Sequence, residues 1–292
     1  MKYIRFFKNP LLIIAFIKQR VRKILFREYI SARGNRSESD DNGLYIYAVQ
    51  RAVKSYKYFS TFKQDPDYQA ILEHVSKKQG EDYLDSVRKD NPCLINRIND
   101  FKKNDLVGGP TLHQYPEVGL ISPTTLRYTK VASDLLKFFG DSVGDKVVEI
   151  GAGYGGQALI NDMTFKIKEY EFLDLPPVLN LVSKYLESHI LNCGYKLSTL
   201  NQKTGEDSYD LVISNYAFSE LPTHLQIKYI DKVINQCRRG YMTMNSGMGN
   251  AHQISKLSLD ELRKRLPNFE IFPEYPLTAP DNYIIVWGHH RG

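Results

Sequence analysis

The sequence predicts an α/β chain: a mostly parallel sheet with an antiparallel C-terminal edge, preceded by a mainly helical N-terminal region. Three observations carry this. From residue 126 onward helical and strand patterns alternate, which implies parallel strands joined by right-handed crossovers. Two strand patterns, 269–272 and 283–287, then close the chain with no full helix between them, which implies an antiparallel pair at one edge. Finally, Lys146-Val-Val-Glu-Ile-Gly-Ala-Gly-Tyr-Gly-Gly-Gln157 runs from an apolar strand through closely spaced glycines into a helix start, the point at which such sheets bind ligands.

In chain order, Asn9-Pro10 is a good helix start, and Leu11, Ile14, Ile17, Val21, Ile24 and Leu25 recur at helical spacing among Lys18, Arg22 and Lys23. Residues 1–30 thus read as a basic amphipathic helix, lying on an anionic membrane surface or packed on the body. Residues 31–43 read as a polar linker, and 44–60 and 66–90 as helices, the first rich in aromatics that serve a core or stack on sugars. Residues 104–119 read as a long loop, a substrate wall or an interdomain connection. Ser122-Pro123 caps a helix carrying Leu126, Val131, Leu135, Leu136 and Phe139 and ending at Gly140. After the glycine turn come a helix at 155–163, a strand at 169–174, a helix opened by Pro176-Pro177, a strand near 195–200, a buried strand at 210–215, a helix at 222–237, a strand at 241–245 and a helix at 258–266. The expected organisation is 1–30 arm, 31–121 helical cap over the substrate, and 122–292 sheet domain.

Composition bounds the function. Of 292 residues, 42% are apolar and 25% charged, which places the chain among soluble globular proteins. Cys93, Cys193 and Cys237 are widely spaced, with no paired framework, which points to a reducing, cytoplasmic setting. No apolar run reaches the ~20 residues that span a bilayer, and no signal-peptide cleavage pattern follows the first apolar stretch. Residues 1–30 hold eight basic side chains against Glu28 alone; the remainder holds 31 basic and 32 acidic ones (39 less 8, 33 less 1). A near-neutral body argues against a nucleic-acid partner, whose enzymes carry basic charge on the body itself. The oligomeric state is not legible.

Gly151, Gly153 and Gly156 satisfy G-x-G-x-x-G, which by itself fits a dinucleotide. Glu149 argues otherwise. A dinucleotide sets an anionic pyrophosphate on such a turn, where a strand-end carboxylate repels it. S-adenosylmethionine (SAM) brings a cationic sulfonium and ammonium instead, which a carboxylate favours. Asp174, closing the next strand, can accept both ribose hydroxyls of either cofactor. A purely structural glycine turn is the remaining alternative.

The blocks Glu149-Ile-Gly-Ala-Gly-Tyr-Gly-Gly-Gln157, Asp174-Leu-Pro, Ser214-Asn-Tyr-Ala-Phe-Ser-Glu220, Thr125-Leu-Arg-Tyr128 and the Pro276–Trp287 tail together resemble the sugar O-methyltransferase family of bacterial surface-polysaccharide loci. The resemblance runs from about Asn104 to Trp287. It implies the Rossmann-like sheet of class I SAM-dependent methyltransferases, SAM as cofactor, and a sugar hydroxyl as acceptor on a nucleotide-, lipid- or polymer-linked glycan of O-antigen or capsule type. The cofactor is then expected on Glu149, Gly151, Gly153, Tyr154, Gly155, Gln157, Asp174, Leu175 and Asn215. A phenolic O-methyltransferase, which shares the Asp174-Leu-Pro turn, and a non-catalytic partner of a glycan-assembly complex are the competing functions.

Methyl transfer to a hydroxyl is an in-line displacement aided by positioning and by a base. The end of the 210–215 strand should face the methyl group, so Glu220 is the candidate base, with Asn215 orienting and His224 as a rival; His113 and His252 are further rivals. Glu220 alternatively stabilises a helix N-terminus. Asp105, His113, Arg127, Tyr128 and Tyr216 are the candidate acceptor contacts. No His, Cys, Asp or Glu cluster has metal-ligand spacing.

Overall fold

The computed structural model describes residues 43–246 and 255–289. The expected 1–30 helix, most of the linker and His252 lie outside them.

The first described elements are α1 (Leu44–Lys54), a series of short turns, and α2 (Lys77–Asp90), whose Ser76 and Gln79 form a reciprocal capping box. The expected helices at 44–60 and 66–90 are therefore shorter. Asp65 and Ser76 each start a new helix by accepting a backbone N–H, which breaks the run into pieces. The expected loop at 104–119 is also more ordered. Lys102–Leu106 forms a 3₁₀ turn, and β1 (His113–Tyr115) pairs antiparallel with β2 (Gly119–Ile121) as a small hairpin. Three-residue strands carry too little alternation to be read from sequence.

The long helix α3 (Pro123–Phe139) starts where expected, with Ser122 Oγ accepting from Thr125 N at 3.1 Å and Pro123 in the first turn, and it ends at Gly140. There follow β3 (Lys146–Ile150), α4 (Gly156–Thr164), β4 (Glu169–Leu173), α5 (Pro176–Leu186), β5 (Gly194–Ser198), β6 (Tyr209–Asn215), α6 (Thr223–Lys232), β7 (Cys237–Met244), α7 (Leu259–Arg265), β8 (Glu270–Pro273) and β9 (Tyr283–Trp287). The helix expected to 237 stops at Lys232, and β7 begins at Cys237 rather than 241, because Cys237–Arg239 pair with Tyr209–Leu211 along the central strand.

The sheet order is β5-β4-β3-β6-β7-β9-β8, parallel except for β9, which pairs antiparallel with both β7 and β8. This is the sheet plan that the sequence resemblance implied, with β9 inserted before the final edge strand. Alternate strand residues face opposite layers. Val147, Tyr170, Phe172, Leu211 and Ile213 pack toward α3, α4 and α5, and Val148, Leu173, Val212 and Met242 toward α6 and α7. Val49, Tyr68 and Leu84 of the N-terminal region join the first of these cores, so that region is bonded to the sheet by a shared apolar layer. Parallel register brings the ends of β3, β4 and β6 to one edge, Glu149 lying level with Phe172 and Ile213.

Candidate active site

At that edge the chain leaves β3 in a turn that only small residues fit. Gly151 has φ 82° and Gly153 φ 58°, both in the left-handed region. A Cβ on Gly151 would lie 2.0 Å from Ala217 Cβ, and one on Gly153 would lie 3.1 Å from Leu72 Cδ1. The first glycine thus lets β3 and β6 end side by side; the second lets the N-terminal region close over the turn. Ser214 ties the two strand ends, donating to Ile150 O at 3.0 Å and accepting from Phe218 N at 3.1 Å.

A cavity of about 590 Å³ opens over this turn, large enough for a nucleoside-sized cofactor and an acceptor group. Its cofactor-side wall contains Glu149, Gly151, Gly153, Asp174 and Leu175, together with Thr199, Leu200 and Asn201 after β5. Asp174 is half-buried and held in place: Oδ2 accepts from Ala152 N at 2.8 Å, and Oδ1 from Leu175 N at 2.7 Å. Burial outweighs those amides and raises its pKa to about 6. Glu149 is 2% exposed and accepts from Tyr170 Oη at 2.9 Å. Burial, reinforced by the charge of Asp174, drives its pKa up to about 8 despite that hydrogen bond. Two carboxylates whose ionised forms burial disfavours line one cavity; they are a donor set for a cation and a diol, and they suit an anionic pyrophosphate poorly. The residues present therefore fit SAM.

The opposite wall comes from α3, the β6 turn and the C-terminal loops. Arg127, Tyr128, Asn215, Tyr216 and Glu220 all line the cavity. Tyr216 sits at φ 68°, a strained conformation for an aromatic residue and one found where a site needs it; its hydroxyl donates to Glu274. Asn215 Oδ1 is buried with no hydrogen-bond partner, an acceptor left for a ligand. Arg127 is buried; among the described residues its guanidinium donates one hydrogen bond, to Leu72 O at 3.1 Å, and pairs with no carboxylate. Glu220 accepts from Asn245 Nδ2 at 2.8 Å. The turn Ala217–Glu220 that carries it is separated from α6 by Leu221 and Pro222, so Glu220 is not in that helix's first turn.

Several expected contacts do not reach this cavity. Tyr154 is fully buried on the far side of the turn, between Phe62, Tyr128 and Tyr185, and its hydroxyl accepts from Asn104 Nδ2 at 3.0 Å. Gly155 is the αL N-cap of α4 and faces Val182 and Leu186. Gln157 is buried, bridging Tyr128 O at 3.2 Å and Asn161 Oδ1 at 3.0 Å. A helix turns its first residues through 100° each, so only part of a contiguous motif can face one ligand. Asp105 is a bracket for α3: it accepts from Ser122 N at 2.8 Å, Ser122 Oγ at 2.6 Å and Thr125 Oγ1 at 2.6 Å. His113 lines a separate cavity, and His224 is exposed on α6, outside the lining.

Sequence reasoning missed most of the lid. Tyr45 and Ile46 of α1, Ile71, Leu72, His74 and Val75, and Gln79 of α2 cover the cavity. Leu225, Lys228 and Tyr229 of α6, and Asn245, Thr278 and Ala279 beyond β7, complete it. The lid residues form no motif; only their place at the strand ends gives them a role.

No family model matches the chain, and no curated protein does. Similar solved structures include the PH0226 protein of Pyrococcus horikoshii OT3 (13% identity, 56% of this chain and 90% of that one, TM-score 0.43). Others are the methyltransferase domain of bacterial CtHen1-CN (13%, 55% and 96%, 0.40) and M. capricolum TrmK with the cofactor product S-adenosyl-homocysteine (14%, 60% and 68%, 0.37). At such values the likeness bears no weight on function, which rests on the site.

Proposed function

We propose that the chain is a SAM-dependent O-methyltransferase acting on a sugar hydroxyl, nucleotide-, lipid- or polymer-linked, in the assembly of a bacterial surface glycan. The observation that carries the donor assignment is the buried Glu149 beside the Gly151–Gly153 turn in a cavity that also holds Asp174. The acceptor assignment is supported by the family resemblance of the sequence blocks and by a polar opposite wall of Arg127, Asn215, Tyr216, Glu220, Asn245 and Thr278.

When bound, SAM supplies an electrophilic methyl group. Glu149 would balance the donor's positive charge, and Asp174 would accept from the ribose hydroxyls. Asn215, with its free Oδ1, and the strained Tyr216 orient the acceptor in line. Glu220, oriented by Asn245, takes the hydroxyl proton late in the displacement. The lid of α1 and the Ile71–Val75 segment excludes water from the reacting pair.

The test is calorimetry with SAM on the wild type and Gly153→Asp, followed by transfer of a radiolabelled methyl group into glycan fractions and a phenolic panel. The substitution places a charged side chain against Leu72 at a positive φ and should abolish SAM binding. Unchanged affinity would overturn the donor assignment, and label confined to phenols would overturn the acceptor.

A further inference from the structure

Beside the main cavity lies a second one of about 400 Å³, between the Phe62–Gln64 turn, the Pro66–Val75 segment, the loop before β1 and the start of α3. His74 and Val75 border both cavities, and His74 is exposed at the lip between them. A buried lysine and a half-buried glutamate line the second cavity with their capacity unfilled. Lys63 is 1% exposed; among the described residues its ammonium group donates one hydrogen bond, to Asn104 O at 2.7 Å, lies 4.2 Å from the Tyr154 ring centre, and pairs with no carboxylate. Glu73 accepts from Thr124 Oγ1 at 2.8 Å through Oε2, while its Oε1 is buried without a partner. Burial moves both groups toward neutrality, Lys63 down to about 8 and Glu73 upward.

The charges decide the ligand class. An anion here would meet Glu73, and a cation would meet Lys63. A neutral molecule with several hydroxyls satisfies both, donating to Glu73 Oε1 and accepting from Lys63, with Gln69 and His113 at the rim. We propose that this cavity is a second saccharide subsite, holding the sugar next to the one that is methylated, so that the acceptor is an oligosaccharide. The inference rests on the sugar-acceptor reading above.

It is tested by titrating a panel of defined mono- to tetrasaccharides, neutral and acidic, onto the full chain saturated with S-adenosylhomocysteine, read by saturation-transfer NMR and calorimetry. Two hydrogen-bonding groups at the usual net worth predict that an oligosaccharide binds about tenfold more tightly than its terminal monosaccharide. Glu73→Leu, which removes the acceptor, should cut that difference about threefold, and Glu73→Gln, which keeps one, should retain it, with S-adenosylhomocysteine affinity unchanged in both. Equal binding of both lengths, an advantage that Glu73→Leu leaves intact, or no saccharide bound at about 10 mM overturns the inference. If S-adenosylhomocysteine itself does not bind the wild type, the donor assignment fails instead, and the same titration without it still decides the subsite.

Discussion

Glu149 carries the most information per residue. Its folded pKa, raised to about 8 from 4.5, means that the folded chain holds a proton that the unfolded chain has lost. Between those values the contribution of Glu149 to stability therefore falls as pH rises, the reverse of an ion-paired carboxylate. A cation beside it recovers the ionised form. SAM affinity should strengthen with pH by up to about tenfold per unit below pH 8 and then level off, with proton release on binding seen as a buffer-dependent calorimetric enthalpy. Glu149→Gln should flatten that dependence. A flat profile in the wild type would place the cation elsewhere. Glu220 has a different test, because it belongs to the chemical step. Glu220→Gln keeps the Asn245 contact and should preserve SAM affinity while slowing transfer about 100-fold or more. Near-wild-type turnover would remove it from the base role.

At the scale of elements, Asn104 joins three of them. Its side chain donates to Thr125 Oγ1 at 2.6 Å and to Tyr154 Oη at 3.0 Å, and accepts from Tyr185 Oη at 2.6 Å, while its carbonyl receives Lys63. The 102–106 turn, the start of α3, the glycine turn and α5 are thereby locked together in a fully buried network. Asn104→Ala takes a partner from each of two buried tyrosine hydroxyls, while Thr125 keeps its bond to Asp105. It should cost about 1–3 kcal/mol, lowering Tm by roughly 2–4 °C per kcal/mol, and should weaken SAM binding through the displaced Tyr154. An unchanged Tm would show that water replaces the amide. The sequence placed 104–119 as a loop near the site but made Asp105 and His113 its working residues. The structure gives Asp105 to a helix cap and leaves the buried Asn104 as the hub, because side-chain roles in loops depend on what packs against them.

For the whole molecule, we propose that residues 1–30 dock the chain on an anionic membrane. Among the described residues no helix is long and apolar enough to cross a bilayer. Deleting residues 1–30 should move the protein from the membrane pellet to the supernatant at low ionic strength, and the full-length chain should follow it as salt is raised. An unaltered distribution would assign the arm to the body instead.

The alternation of strands and helices, the acid–glycine turn and the second acid at Asp174 were legible in the linear chain because each is local: a period, a turn requirement, or a charge at a strand end. Contiguity also misled, since Tyr154, Gly155 and Gln157 share the motif with Gly151 and Gly153 yet point into the core. The lid of Tyr45, Ile71, Leu72 and His74, the second cavity around Lys63 and Glu73, and the retirement of His224 to the surface came only with the fold. Those depend on which distant segments meet across the sheet edge, and that is set by packing of the shared core rather than by any pattern along the chain.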